Sequence, residues 1–252
     1  MINFILKRVI PIPKIMNFDR FLFIGPHPDD IELSCAPTVK KLTEEGKTVA
    51  FLIATDGRMG ALDEKLFGDE LVTVRQNEAK ASAKLLGVED VSFLPFHDGG
   101  LYSVEDLAVE LAKKIVSFKP DVVFTADPDV ISEFHADHIK TGNATKYAMN
   151  MCPYLPIMRG FGVDDCFSPK ATAFYYTDRP NIYVPIKKYF HIKKEALICH
   201  ASQFDDKSLC DVMGYMKLRA VCLGLKKLKG MCDGYRVYAP THTHCFPEAS
   251  KW

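Results

Sequence analysis

The sequence carries no surplus of charge of either sign: over 252 residues, Lys plus Arg and Asp plus Glu each total 32. A formal net charge of zero provides no long-range field to gather nucleic acid or an anionic membrane, so polyanionic partners are disfavoured. The eight cysteines, at 35, 152, 166, 199, 210, 222, 232 and 245, include no CxxC pair and no regular spacing. That disfavours a zinc knuckle or a disulfide framework and predicts buried, reduced thiols in a cytosolic protein. A long apolar run is lacking at the start as well. In MINFILKRVIPIPKIMNFDR, Lys7, Arg8 and two prolines break the apolar patch before a secretory core or a span of about 20 residues could form. Neither export nor a membrane anchor is expected, and the expected compartment is the cytoplasm. Repeats, low-complexity tracts and linkers are missing too, which predicts one domain over 1–252 with an N-terminal extension at 1–18.

What the chain does have, from residue 19 on, is alternation. Short runs rich in Val, Ile and Phe at 21–25, 48–54, 91–96 and 122–126 read as strands buried on both faces. Helical patterns lie between them. Val104, Leu107, Leu111, Ile115 and Phe118 form one apolar stripe behind a Ser103/Asp106 start, and 74–86 is alanine-rich and stops at Gly87. A further helix is predicted from His138 to about Met149. The stretch 150–168, with its prolines, glycines and acidic pair, reads as an irregular loop over the substrate crevice. Two more strands, helices over roughly 188–230 and a last aromatic segment complete the chain. The predicted fold is α/β: a doubly wound, Rossmann-like, mostly parallel sheet with flanking helices.

In a sheet of order 3-2-1-4, strands one and four are neighbours, and the crevice opens between their carboxyl ends. Strand one is followed by His27-Pro28-Asp29-Asp30. Strand four is followed by Asp127-Pro128-Asp129 and then His135-Ala136-Asp137-His138. Taken singly, the first cluster could be an Asx turn capping a helix and the second an exposed helix start. Brought together, they offer the imidazole and carboxylate donors that a catalytic divalent metal needs, and that mixture favours zinc.

The segment PHPDDIELSCAPTVKKL resembles the (A/P)HPDDxE zinc motif of the PIG-L/LmbE-like N-acetylglucosaminyl de-N-acetylases, and HADH resembles that family's HxDH motif. TDGR at 55–58, RQNEAKASAKLLG at 75–87, FHDGGL at 96–101 and KKEALICHASQ at 193–203 match in the family's order. The resemblance implies zinc held by His27, Asp30 and His138, with Asp29 as general base and His135 as acid or oxyanion partner. It implies hydrolysis of an N-acetyl amide on an amino-sugar conjugate; zero net charge and the lack of a membrane segment make a small, soluble conjugate the expected substrate, with no nucleic acid, no integral membrane contact and a homo-oligomer as an option. Arg58, in a loop where the family has substrate contacts, is a candidate to bind a sugar hydroxyl or an acidic substituent; Asp98 is a candidate either for substrate or for setting its turn. Glu32 is expected to serve nearby donors rather than metal. His97 departs from the family pattern and reads as solvated or satisfied in the core. His200 reads as structural or pocket-lining, and His242 with His244 could in principle form a second metal site.

Three rivals share parts of this pattern. A nucleotide-dependent oxidoreductase is excluded, because GPHPDD is acidic and lacks the glycines of a pyrophosphate turn. A metal-dependent phosphoesterase would want more bridging carboxylates. A catalytically silent carbohydrate-binding protein would not need Asp29 beside the ligands.

Overall fold

The computed structural model describes residues 2–66 and 68–252. Seven strands, β1 (Arg20–Gly25), β2 (Thr48–Thr55), β3 (Asp90–Phe96), β4 (Val122–Ala126), β5 (Ala171–Tyr175), β6 (Ile182–Pro185) and β7 (Cys232–Tyr238), form one sheet of order β3-β2-β1-β4-β5-β7-β6. The 3-2-1-4 order predicted for the first four strands is the observed one. β1 to β5 run parallel, and β7 is antiparallel to β5 and β6.

Side chains alternate across the central strands, as strand geometry requires. Phe21 and Phe23 enter one core with Phe51 and Phe124, and Leu22 and Ile24 enter the other with Leu52 and Val123. Phe23 stacks on Phe124 at 4.2 Å between ring centres. The first core is covered by α2 (Asp30–Glu44), α3 (Asp69–Leu86), α7 (Phe190–Ile198) and α8 (Asp206–Leu225); the second by α4 (Val104–Phe118) and α5 (Ala136–Met151). Each fully buried Phe or Leu contributes about 1.5–3 kcal/mol relative to exposure, so these two layers fix which loops meet at the carboxyl edge of the sheet. Among the described residues no helix is long and apolar enough to cross a membrane.

The segment at 150–168 is not the crevice loop that its prolines and glycines predict. α5 runs from the carboxyl edge of the sheet to the opposite one, so the chain beyond its C-terminus lies far from the site. Residues Leu155–Gly160 form a short helix, α6. Cys152 and Met158 are fully buried in the second core, and Asp165 pairs with Lys119 just past the end of α4 at 2.8 Å. Apolar side chains spaced between turn residues have made this segment a floor. The N-terminal extension is packed in its second half, while Ile5 and Val9 are exposed. It begins with α1 (Ile2–Val9), Ile15 is buried in the first core, and the Ile10 carbonyl lies 3.1 Å from His242 Nε2. His242 Nδ1 accepts from the Ala239 amide at 3.0 Å, which leaves His242 no free nitrogen for a second metal site with exposed His244. The thiols are only partly as predicted: Cys35, Cys152 and Cys232 are buried, whereas Cys210, Cys222 and Cys245 are exposed.

Pro37 sits inside α2. Lacking an N–H, it cannot donate to the carbonyl of Leu33 four residues back. The ammonium of Lys193, buried on α7, donates to that Leu33 oxygen instead. Lys193→Met should therefore destabilise the protein by about 1–3 kcal/mol, and Pro37→Ala, which restores the backbone donor, should recover part of the loss; urea unfolding of the double-mutant cycle reads the coupling. Met158→Ala should cost about 2–5 kcal/mol by leaving a cavity while KM stays unchanged. A raised KM without loss of stability would return the 150–168 segment to the substrate.

Candidate active site

β1 and β4 end at the same edge, and the turns after them bring 27–30 against the start of α5. Asp29 precedes α2 with φ 126° and no side-chain capping bond. This backbone is strained for a residue with a Cβ, at a cost of about 1–3 kcal/mol, and it turns consecutive carboxylates in different directions. Asp29 Oδ2 accepts from Arg75 Nη2 at 3.1 Å. Asp30 Oδ2 accepts from the His27 amide at 2.9 Å and lies 3.1 Å from His27 Nδ1 and 3.3 Å from His138 Nε2. The HPDD turn is thus not a side-chain cap.

The outer nitrogen of each of these imidazoles also meets a carboxylate: His27 Nε2 lies 3.2 Å from Asp137 Oδ2, and His138 Nδ1 lies 3.0 Å from Glu133 Oε2. Such carboxylates fix the ring tautomer and turn the inner nitrogen towards a metal. Nitrogen and oxygen ligands at about 2.0–2.2 Å in a tetrahedron stand roughly 3.3 Å apart, so the observed 3.1 and 3.3 Å spacings suit one ion. One ring nitrogen from each of His27, His135 and His138 also lies within 4.8 Å of the others. Two overlapping donor sets therefore exist, sharing His27 and His138 and differing in Asp30 or His135.

The electrostatics call for a cation. Burial opposes charge on His27, yet its bonds to Asp137 and Asp30 prevail and raise its pKa to about 10. Burial would raise Asp30, but His138 and His27 hold it well below the usual carboxylate range. Burial does raise Asp29, to about 6, against the pull of Arg75. Asp137 is brought down to about 2: burial is outweighed by His27 and by the Gly99 amide. Half-exposed His135 is lowered by burial and by the neighbouring His27 and His138.

Four contributors were not singled out from the sequence. Buried Arg75 donates to the Gly57 and Pro28 carbonyls as well as to Asp29, at 3.0 and 2.8 Å. Asp137 accepts from the amides of Gly99 and Gly100 at 2.8 and 2.9 Å, tying the loop after β3 to His27. A Cβ on Gly100 would lie 2.6 Å from that of Ala136. Glu133 orients His138. Tyr176 donates to Asp30 Oδ1 at 3.2 Å and lies parallel to the His138 ring. Signals existed for some of them: Asp137 lies inside HADH, and Arg75 opens the RQNEA segment.

The remaining candidates lie on the β2 and β3 side. Arg58 Nε donates to Asp56 Oδ2 at 2.8 Å, and its Nη2 lies 3.3 Å from Asp69 Oδ1. His97 Nδ1 lies 2.7 Å from Asp56 Oδ2, a specific partner for an exposed ring. Asp98 Oδ2 accepts from the Met59 amide at 3.1 Å, and its buried Oδ1 has no partner among the described residues. Glu32 accepts from Ser82 Oγ at 2.6 Å and lies 3.4 Å from buried His200, a supporting role for both.

The chain matches the PIG-L family, described as GlcNAc-PI de-N-acetylase, over residues 22–149. It is 33% identical over 237 residues to a diacetylchitobiose deacetylase of Thermococcus kodakarensis, covering 91% of this chain and 87% of that one. It is 27% identical over 196 residues to a probable N-acetyl-alpha-D-glucosaminyl L-malate deacetylase 2 of Bacillus anthracis, covering 76% and 84%. The structure of N,N'-diacetylchitobiose deacetylase from Pyrococcus horikoshii superposes with a TM-score of 0.86 at 30% identity, covering 98% of this chain and 94% of that one.

Glu133→Gln keeps the shape of the side chain and removes the charge beside His138. Metal affinity, measured by competition with a chelator, should fall by about 10–100-fold with the circular dichroism spectrum unchanged.

Proposed function

Because this chain belongs to the PIG-L family of GlcNAc-PI de-N-acetylases, we propose that it is a zinc-dependent hydrolase that removes the N-acetyl group from a small, soluble N-acetylglucosamine conjugate. The products are acetate and a free amine. The observation that carries the reading is Asp30 Oδ2, within 3.1 Å of His27 Nδ1 and 3.3 Å of His138 Nε2, with the Asp29 carboxylate next to it in the chain. These three donors are the zinc ligands in this reading. Zinc there supplies Lewis acidity for the acyl oxygen and lowers the pKa of a water from about 15.7 towards 7.

The chain's own groups do the rest. Asp29, held by Arg75, accepts a proton from the attacking water at its carboxylate. The water oxygen ends on the acyl carbon, the C–N bond breaks, and a proton ends on the nitrogen. His135, whose ring centre is 4.6 Å from that of His27, stands at the mouth of the site and donates to the developing negative charge on the acyl oxygen. Asp98 is the partner for a sugar hydroxyl, since an unmatched buried acceptor costs about 1–3 kcal/mol and Oδ1 awaits a donor. Arg58, braced by Asp56 and Asp69, stands on the same side for hydroxyl or acidic groups of the conjugate. A silent sugar-binding protein would have no use for Asp29 so placed.

Elemental analysis of protein purified without added metal should find one zinc per chain, lost in His27→Ala. Asp29→Asn should keep that zinc and lose about 10²- to 10⁴-fold in kcat, read as acetate released from a panel of N-acetylglucosamine conjugates. If Asp29→Asn instead lost the metal and Asp30→Asn kept it, the two roles would be exchanged.

A further inference from the structure

A cavity of about 450 Å³ opens beside the candidate metal ligands. It lies on the β5 and β7 side of the site, whereas Arg58 and Asp98 belong to the loops after β2 and β3, so it is separate from the proposed sugar contacts. Asp30, Glu133 and His138 form one end. Tyr176, Phe190 and Met216 also line it, together with Lys193, Arg219, Asp178 and Asp233. An acetyl methyl fills little of such a space, since even a water takes only about 30 Å³ of liquid.

The lining away from the metal ligands is charged. Lys193 is 2% exposed. Its ammonium has three donors, and the carbonyls of Leu33 and Glu32 account for two. Among the described residues no carboxylate lies within ion-pair distance of it. Arg219, half-buried, gives Nη2 to the Thr177 carbonyl at 3.0 Å and has further N–H groups. Of the acids on the cavity besides Asp30 and Glu133, Asp178 accepts from Arg179 Nε at 3.2 Å, and Asp233 already accepts from Thr38 Oγ1 at 2.7 Å and Tyr235 OH at 3.4 Å. A buried cation facing only methylenes would be costly; one facing a carboxylate would gain a charge-assisted hydrogen bond. The distance is suitable too. Lys193 binds the Leu33 carbonyl, about one helical turn, or roughly 5 Å of rise, along α2 from Asp30.

We propose that this cavity is an acyl pocket, and that the protein hydrolyses N-acyl amino sugars whose acyl group is longer than acetyl and ends in a carboxylate. The inference rests on the function proposed above, with the amide at the metal site and the sugar towards Arg58 and Asp98; the acyl chain then points into the cavity. The reaction is the same hydrolysis. Water adds oxygen to the acyl carbon, the C–N bond breaks, the nitrogen leaves with the proton, and a dicarboxylate replaces acetate as the second product.

The test uses the zinc-loaded full chain with N-acetyl-, N-butyryl- and N-succinylglucosamine, following release of the amine. N-succinylglucosamine should match or exceed the acetyl compound in kcat/KM and exceed the butyryl compound by about tenfold, the discrimination of one charge-assisted contact. Arg219→Leu should lower succinyl kcat/KM about tenfold and leave acetyl turnover within about twofold. Because Lys193 also supports α2, its removal is tested as Lys193→Met in the Pro37→Ala background, with melting followed in parallel, and the same selective loss is expected. Succinyl turnover below about a hundredth of acetyl turnover, or equal losses on both substrates in Arg219→Leu, would overturn the acyl pocket and leave the deacetylase intact. Failure on all three substrates by metal-loaded, folded protein would overturn the deacetylase reading itself, and the pocket with it.

Discussion

The carboxylate of Asp30 is the constraint around which the carboxyl edge of the sheet is arranged. It is buried, its pKa lies well below the usual range, and two imidazoles, a backbone amide and a tyrosine hydroxyl surround it. Charge in such a place persists only if opposite charge or good donors meet it. Hence β1 and β4 must be neighbours, α5 must begin where it does, and Asp29 must accept an unfavourable backbone so that its own carboxylate faces Arg75 rather than the imidazoles. The carboxylates around it raise the proton affinity of both His27 and His138, so positive charge is favoured at the ring nitrogens that would face a metal.

Much of this was legible in the chain. Four apolar runs bounded by helical patterns imply a parallel sheet, and one rule of connectivity puts strands one and four together; HPDD and HADH then have to meet. The reason the inference succeeds is that buried parallel strands are encoded locally, by composition, while the position of the crevice follows from topology. Residues such as Phe21 and Leu22, alternating between two cores, carry that information plainly.

Other parts could not be read because their meaning is tertiary. Arg75 lies on a helix face where an arginine is ordinarily solvated, and only the fold turns it inward to Asp29. Tyr176 follows a strand whose place next to β4 is not evident from its composition. The 150–168 stretch shows the opposite failure: prolines and glycines marked irregular backbone where residues 155–160 form a helix, and they do not tell which edge of the sheet the stretch occupies. Helix α5 decides that, because a rod of 16 residues carries the chain about 24 Å from one edge to the other.

Asp137 holds the loop after β3 through the amides of Gly99 and Gly100, not through side chains. An anchor addressed to backbone is indifferent to most of the residues that present it. Apart from Gly99, whose φ is 99°, and Gly100, whose missing Cβ the contact with Ala136 requires, the rim of this loop can drift in sequence while His27 keeps its orientation. The chemistry of the centre and the chemistry of its clientele are therefore separately mutable, and one scaffold can be re-targeted to new acceptors without being rebuilt.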